Sequence, residues 1–187
     1  MKNNHRPATF GERLLAALTD HFILSLINLL GYLYLVNASD MPDLLQRLFS
    51  ALVLLFIPAI AFKIFYDVWF VNQFGATPGK QLWGLTVINA DQKQFLSLKM
   101  AAFRELIAKS ISRFSLGLGF FWIIFDKNNQ GWHDQLAGTN VIKNTTKSAI
   151  LGPISLLIIL SLNGLLWFSI ISSTPNLLQV IMDWIAA

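Results

Sequence analysis

Between Lys147 and Asp183 the chain carries no charged residue. A helix in that stretch has no polar face to show to water, and it exceeds the ~20 residues that cross the hydrocarbon core of a bilayer. Two earlier stretches behave alike. Leu14 to Val36 is broken mainly by Thr19, Asp20, His21, Ser25 and Asn28, and Leu48 to Val71 carries only Lys63 and Asp67 as charges. Composition agrees: 55% of the 187 residues are apolar and 13% are charged, against about 25% charged in soluble domains. The chain reads as an integral membrane protein.

The first span is expected from Thr9-Phe10 to about Val36, opened by a Thr9–Glu12 capping box. A cleaved signal peptide is the rival reading, but the apolar region is too long and contains an aspartate. The second span is expected over Leu48 to Val71, after a loop from Asn37 to Arg47. The third is expected over Ala149 to Ser172, with the tail beyond Pro175 as an interfacial helix. Ser97 to Arg113 reads as an amphipathic helix. Met100, Phe103, Leu106, Ile107 and Ile111 form its apolar stripe, and Lys99, Arg104, Lys109 and Arg113 are available to lipid headgroups. Phe114 to Phe125 is short for an untilted span. Placing it as a re-entrant or interfacial hairpin leaves nearly every Lys and Arg on the cytoplasmic side, with Arg47 the main exception. Leu85–Asn89, Gln94–Leu96 and Thr139–Ile142 have strand character and suggest a small cytoplasmic sheet. The expected fold class is therefore an all-α membrane protein with three transmembrane helices, or four if Phe114–Phe125 spans, plus that hairpin and β-element. Residues 1–147 would form the main membrane domain and 148–187 a C-terminal helix with its tail. The N-terminus is expected in the cytoplasm.

Several function classes lose their footing. The chain has no cysteine, so disulfides, thiol catalysis, Cys–Zn sites and iron–sulfur clusters are out. Its three histidines have no ligand spacing, so no metal is expected. No serine nucleophile elbow is present, and Thr77-Pro78-Gly79-Lys80 lacks the spacing of a phosphate loop. Neither an enzyme nor a cofactor is expected. The basic segment 97–113, in a chain of net charge +4, suits anionic lipid headgroups better than nucleic acid.

The remaining signal lies in polar residues at membrane depth. Arg13 and Asp20 are seven residues apart and share a helix face, with Ala16 and Ala17 between them leaving room for a neighbouring helix. An ionised Asp at a helix centre costs about 2.5–3.5 kcal/mol on insertion scales. Asp20 must therefore meet protein, water or a cation, or be protonated. It reads either as an exchanging carboxylate or as a structural contact. Lys63 and Asp67 form an i,i+4 pair whose lysine can snorkel to the interface. Thr77-Pro78-Gly79-Lys80 marks a sharp turn, and Trp132-His133-Asp134 is a second polar cluster that either relays protons or caps a helix.

These pieces resemble the RDD family of bacterial membrane proteins. The resemblance lies in Phe10-Gly11-Glu12-Arg13-Leu14-Leu15-Ala16-Ala17-Leu18-Thr19-Asp20, in Thr77 through Val87, and in Gly131 through Val141, covering residues 7 to about 143. Asn140 departs from the apolar residue more usual there. The family is named for one arginine and two aspartates, and on that pattern Arg13, Asp20 and Asp134 would be the three. The resemblance implies a transport protein of the bacterial inner membrane; a member has been linked to sodium(potassium)/proton antiport. On this reading Asp20 exchanges Na+ or K+ for H+ and Arg13 tunes it. Asp134, with His133 and Lys80, would form a cytoplasmic gate or ion pair. Three or four helices hardly enclose a polar path, so a homo-oligomer or partner membrane subunit is expected. The alternative is a non-transporting accessory, scaffold or lipid-binding protein that supports another membrane complex.

Overall fold

The computed structural model describes residues 5–144 and 151–186. In chain order its elements are β1 (His5–Pro7), α1 (Phe10–Val36), α2 (Met41–Phe74), α3 (Pro78–Leu82), β2 (Leu85–Asn89), α4 (Leu98–Phe114), α5 (Leu118–Ile124), α6 (Trp132–Leu136), β3 (Thr139–Asn144) and α7 (Leu151–Ala186). Helices α1, α2 and α7 are long and apolar enough to cross a membrane, and α4 and α5 form a pair bent by 105°. The fold is that of a membrane protein with three candidate spans, one bent helical pair and a small sheet. Ala149 and Ile150, Lys2, Lys147 and the boundary expected at 147/148 lie outside the described residues.

Local chemistry explains the helix ends. At α1, Thr9 N–H donates to Glu12 Oε2 at 3.0 Å and Glu12 N–H donates to Thr9 Oγ1 at 3.4 Å. These two bonds satisfy donors that a helix start leaves open. Helix α2 starts seven residues earlier than the apolar pattern indicates. Asp40 caps it, accepting from Asp43 N–H at 2.8 Å, and Pro42 occupies the first turn, where its missing N–H costs nothing. The expected Asn37–Arg47 loop is thus mostly helix. Arg47, the exception to the charge asymmetry, is neutralised there by Asp43 at 2.8 Å and donates to Tyr34 O at 2.9 Å.

The tail beyond Pro175 is not a separate interfacial helix, because α7 runs through Pro175 to Ala186. Pro175 lacks the N–H that would bond one turn back, yet a proline is tolerated in a membrane helix when neighbouring groups satisfy the backbone. One residue earlier, Thr174 donates its hydroxyl to Ile170 O at 2.9 Å.

The chain divides into two compact units: residues 1–20 with 64–156, and residues 21–63 with 157–187. In the first, β3 lies between β1 and β2, antiparallel to both. Period-2 alternation buries Leu85 and Val87 of β2 and Val141 of β3 beside Ala8, Ala16 and Val71. Strand β1 escapes a pattern search because His5-Arg6-Pro7 is short, exposed and not alternating. Gln94–Leu96, read as a strand, is a loop instead. On the side of β2 away from β3, Val87 N–H donates to Gly75 O at 2.6 Å, and Gln94 O only closes the turn by accepting from Asn89 N–H at 2.9 Å.

Helix α4 corrects the sequence reading more deeply. Its apolar stripe faces outward, with Phe103, Leu106, Ile107 and Ile111 all exposed, while Arg104, Glu105 and Ser112 are buried. Of the four basic residues assigned to headgroups, Arg104 therefore belongs to the interior. A π-type turn at Phe103–Ala108 widens the helix locally, which lets the adjacent Arg104 and Glu105 share the buried face. Such polarity suits a helix whose surroundings are hydrocarbon rather than water.

The second unit is organised around one polar contact within an apolar set. Ser25 Oγ donates to Asn163 Oδ1 at 2.6 Å, and Asn163 Nδ2 donates to Phe22 O at 3.1 Å. Leu29, Val36 and Ile170 pack as its buried apolar cluster. Apolar side chains such as Leu54 and Phe168 remain exposed on α2 and α7.

Candidate functional site

Two polar nodes occur in the first unit. The larger centres on Asp134, which is fully buried. Arg13 Nη1 donates to Asp134 Oδ2 and Arg104 Nη2 donates to Asp134 Oδ1, both at 2.5 Å. Arg13 also donates to Asn129 O at 2.6 Å and to Ala8 O at 3.3 Å. Asp134 Oδ2 accepts from Gly131 N–H at 3.1 Å, so the same carboxylate starts α6. Arg104 continues the network to Glu105, which also holds Lys109, and donates Nε to Thr139 Oγ1 at 3.1 Å.

Burial pushes the Asp134 carboxyl up, but Arg104 and Arg13 outweigh it and hold it well below the usual carboxylate range. Asp134 therefore carries a permanent negative charge between two permanent positive ones. His133 is adjacent, with Nε2 at 3.5 Å from Asp134 Oδ1 and Nδ1 at 3.4 Å from Ser112 Oγ. Burial, reinforced by Arg104, Lys109 and Arg13 against the pull of Asp134, lowers the imidazole to about 3. It is neutral at physiological pH, with one ring nitrogen a donor and the other an acceptor. α5 packs against this region closely: a Cβ on Gly119 would lie 2.6 Å from Ser112 Oγ, so no larger residue fits without a shift.

The second node is Asp20. Tyr66 hydroxyl donates to its Oδ1 at 2.6 Å, Gly79 N–H to the same oxygen at 2.7 Å, and Thr77 hydroxyl to Oδ2 at 2.5 Å. No cation lies within ion-pair distance of Asp20 among the described residues. Glycine is required at 79, because a Cβ would stand 2.5 Å from Ala16 O and 2.7 Å from the Asp20 carboxyl. Beside it, Thr19 Oγ1 accepts from Trp83 Nε1 at 2.9 Å.

The expected site residues are thus divided differently from the sequence reading. Arg13 and Asp20 do share a helix, but the arginine is committed to Asp134, and Asp20 is held by hydroxyls and an amide. Lys80 makes no ion pair with Asp134. Burial and the nearby Lys109 lower Lys80 to about 8, with Glu105 pulling the other way. Lys63 is exposed and Asp67 half-buried on α2. Tyr66, Arg104 and Glu105 were missed. For Arg104 and Glu105 the available signal was Glu105 itself, the lone acidic residue of Ser97–Arg113, directly beside an arginine.

A family model for the RDD family matches residues 7–138. The chain belongs to the RDD family. Among its relatives in Bacillus subtilis (strain 168), an "Uncharacterized protein YckC" is 30% identical over 143 residues, covering 74% of this chain and 86% of that protein. An "Uncharacterized membrane protein YteJ" is 27% identical over 139 residues, covering 74% and 82%. No solved structure matches. The RDD region takes in Arg13, Asp20 and Asp134, and so both nodes.

Proposed function

We propose that this RDD-family protein works in transport at the bacterial inner membrane, exchanging a monovalent cation, Na+ or K+, for a proton at Asp20. The observation that carries the reading is the contrast between the two aspartates. Asp134 is locked between two arginines, so a proton or cation would have to displace a full ion pair. Asp20 meets only neutral donors. Hydroxyls both donate and accept, so Thr77 and Tyr66 can rotate a lone pair toward a cation seated at Asp20, or donate again once it leaves. Arg13, Arg104 and Asp134 act as positioning residues. The N-terminus is assigned to the cytoplasm by the distribution of Lys and Arg. Three spans enclose too little volume for a polar path, so a homo-oligomer or partner membrane subunit completes it. The role is non-enzymatic.

The test is cation-induced dissipation of a pH gradient in inside-out vesicles from an antiporter-deficient host. Wild type is compared with Asp20→Asn at equal folded amounts. A Na+- or K+-dependent signal lost in the variant supports exchange. No signal above empty vesicles, with folded protein present, overturns it. The second reading, a non-transporting accessory protein, is favoured by one feature: three donors fully satisfy Asp20, as expected of a pin between α1 and α3. On that reading Asp20→Asn lowers stability and no transport signal exists to lose.

A further inference from the structure

A cavity of about 380 Å3 opens in the first unit, with walls mostly of hydrocarbon from residues such as Phe10, Leu14, Phe121 and Ile123. Cationic groups also line it. Arg13, Arg104 and Lys109 are ion-paired with Asp134 and Glu105, three positive charges on two carboxylates, which leaves a positive charge over. Lys80 and Arg113, which also line the cavity, form no ion pair or hydrogen bond with any described residue. Lys80 feels the carboxylates of Glu105 and Asp20 without bonding either, and an apolar chamber with such an excess of positive charge suits neither a small inorganic cation nor a neutral lipid. It matches an amphiphile with an anionic head.

The surroundings say where such a ligand would come from. The turn joining α4 to α5 exposes Phe114 at 89% and Leu116 at 92%, and Gly117, which follows it, lines the cavity. Exposed apolar residues at that density belong in the acyl boundary of a bilayer, which places the cavity within reach of lipid. We propose that the cavity binds one anionic phospholipid, its phosphate between Lys80 and Arg113 and the start of an acyl chain against Phe10, Leu14 and Phe121. The depressed proton affinity of Lys80 fits a lysine that a bound anion would complete. This site stands independently of exchange at Asp20.

The test uses the full chain in neutral detergent, delipidated and then titrated with phosphatidylglycerol or phosphatidylcholine, with bound lipid counted by native mass spectrometry. One phosphatidylglycerol is expected to bind in preference to phosphatidylcholine. Each cation near a lipid surface contributes enough to change affinity about fivefold. Arg113→Gln, a change at an exposed position, should therefore weaken phosphatidylglycerol about fivefold. Arg113→Lys should retain it, and Lys80→Gln with Arg113→Gln should remove the preference. A circular-dichroism melt checks that each variant is folded. Equal binding of the two lipids overturns the proposal and leaves an apolar void filled by any acyl chain. Displacement of phosphatidylglycerol by millimolar inorganic phosphate also overturns it, in favour of a free-phosphate site.

Discussion

Arg13 and Asp134 are 121 residues apart in sequence and meet at 2.5 Å, with the carboxylate buried and the arginine nearly so. Arg104 takes the other carboxylate oxygen at the same distance, so one side chain ties α1, α4 and α6 together. Two charges taken out of water are costly, and such a set is stable only while it is complete. Removing one member of a buried pair costs about 3–5 kcal/mol, because the other is left uncompensated. Asp134→Leu orphans Arg13 and leaves Arg104 only Glu105, which already holds Lys109, and should fall at the upper end of that range. Arg13→Leu leaves Asp134 paired with Arg104 and should cost less. The double variant should lose less than the sum of the singles. Denaturant unfolding in detergent measures all three, and an additive double variant would show that the pair contributes nothing as a pair.

His133 gives the protein a sensitivity to acid that begins well above the range of any carboxylate. Its folded-state value, about 3, lies below the ordinary 6.5 that the unfolded chain recovers. Above 6.5 neither state takes a proton. Between 6.5 and 3 the unfolded chain takes one and the folded chain does not, so stability falls as the pH drops through that window. Well inside it the slope approaches about 1.4 kcal/mol per pH unit. Asp134, held low, adds its own loss only below the carboxylate range. Melting temperatures from pH 7 to 4.5 should therefore decline for wild type and flatten for His133→Asn. Parallel curves would mean that the imidazole is charged in the folded protein.

Much of this was legible in the sequence, and the failures share one physical origin. Lipid-facing helices announce themselves by lacking charge, so the three spans needed no tertiary information. Leu85–Asn89 and Thr139 onward alternate, so two strands were visible as well. Helix α4 misled because an apolar stripe with basic residues beside it has two solutions, buried stripe or buried charges, and the stripe alone does not choose. The start of α2 was hidden because Asp43 and Arg47 look like a polar loop until Asp40 is recognised as a cap. The partner of Arg13 was a matter of long-range pairing: a residue at i+7 was the only one that spacing could offer, whereas the fold supplied a carboxylate from the far end of the family region.

The Asp20 node predicts a graded response that separates its three donors. A hydrogen bond to a charged group is worth about 1.5–3 kcal/mol, and the carboxylate here accepts three. Tyr66→Phe and Thr77→Val should each lower stability by about that amount. Gly79→Ala should do worse, because the methyl meets a backbone oxygen at 2.5 Å as well as the carboxyl. It has no flexible neighbour to push aside. Unfolding curves for the three variants test the ranking, and a neutral Gly79→Ala would mean that the turn at Thr77–Lys80 sits farther from α1 than this close approach requires.

The bent pair of α4 and α5 decides the number of spans, and a cysteine-free chain makes it easy to probe. The limbs turn by 105°, and Leu118–Ile124 is far shorter than the ~20 residues a span requires. A re-entrant pair enters and leaves on the same side, and a broken span crosses. Lys127→Cys and Asp91→Cys, placed on either side of the pair, should both react with a membrane-impermeant maleimide from the cytoplasmic face of intact vesicles. Leu116→Cys, at the exposed apolar tip, should react only after detergent is added. The tip should resist from both faces because it sits in the acyl boundary rather than in water. Labelling of Lys127→Cys from the opposite face to Asp91→Cys would establish a fourth span and reverse the side assigned to every basic residue from Lys127 to Lys143.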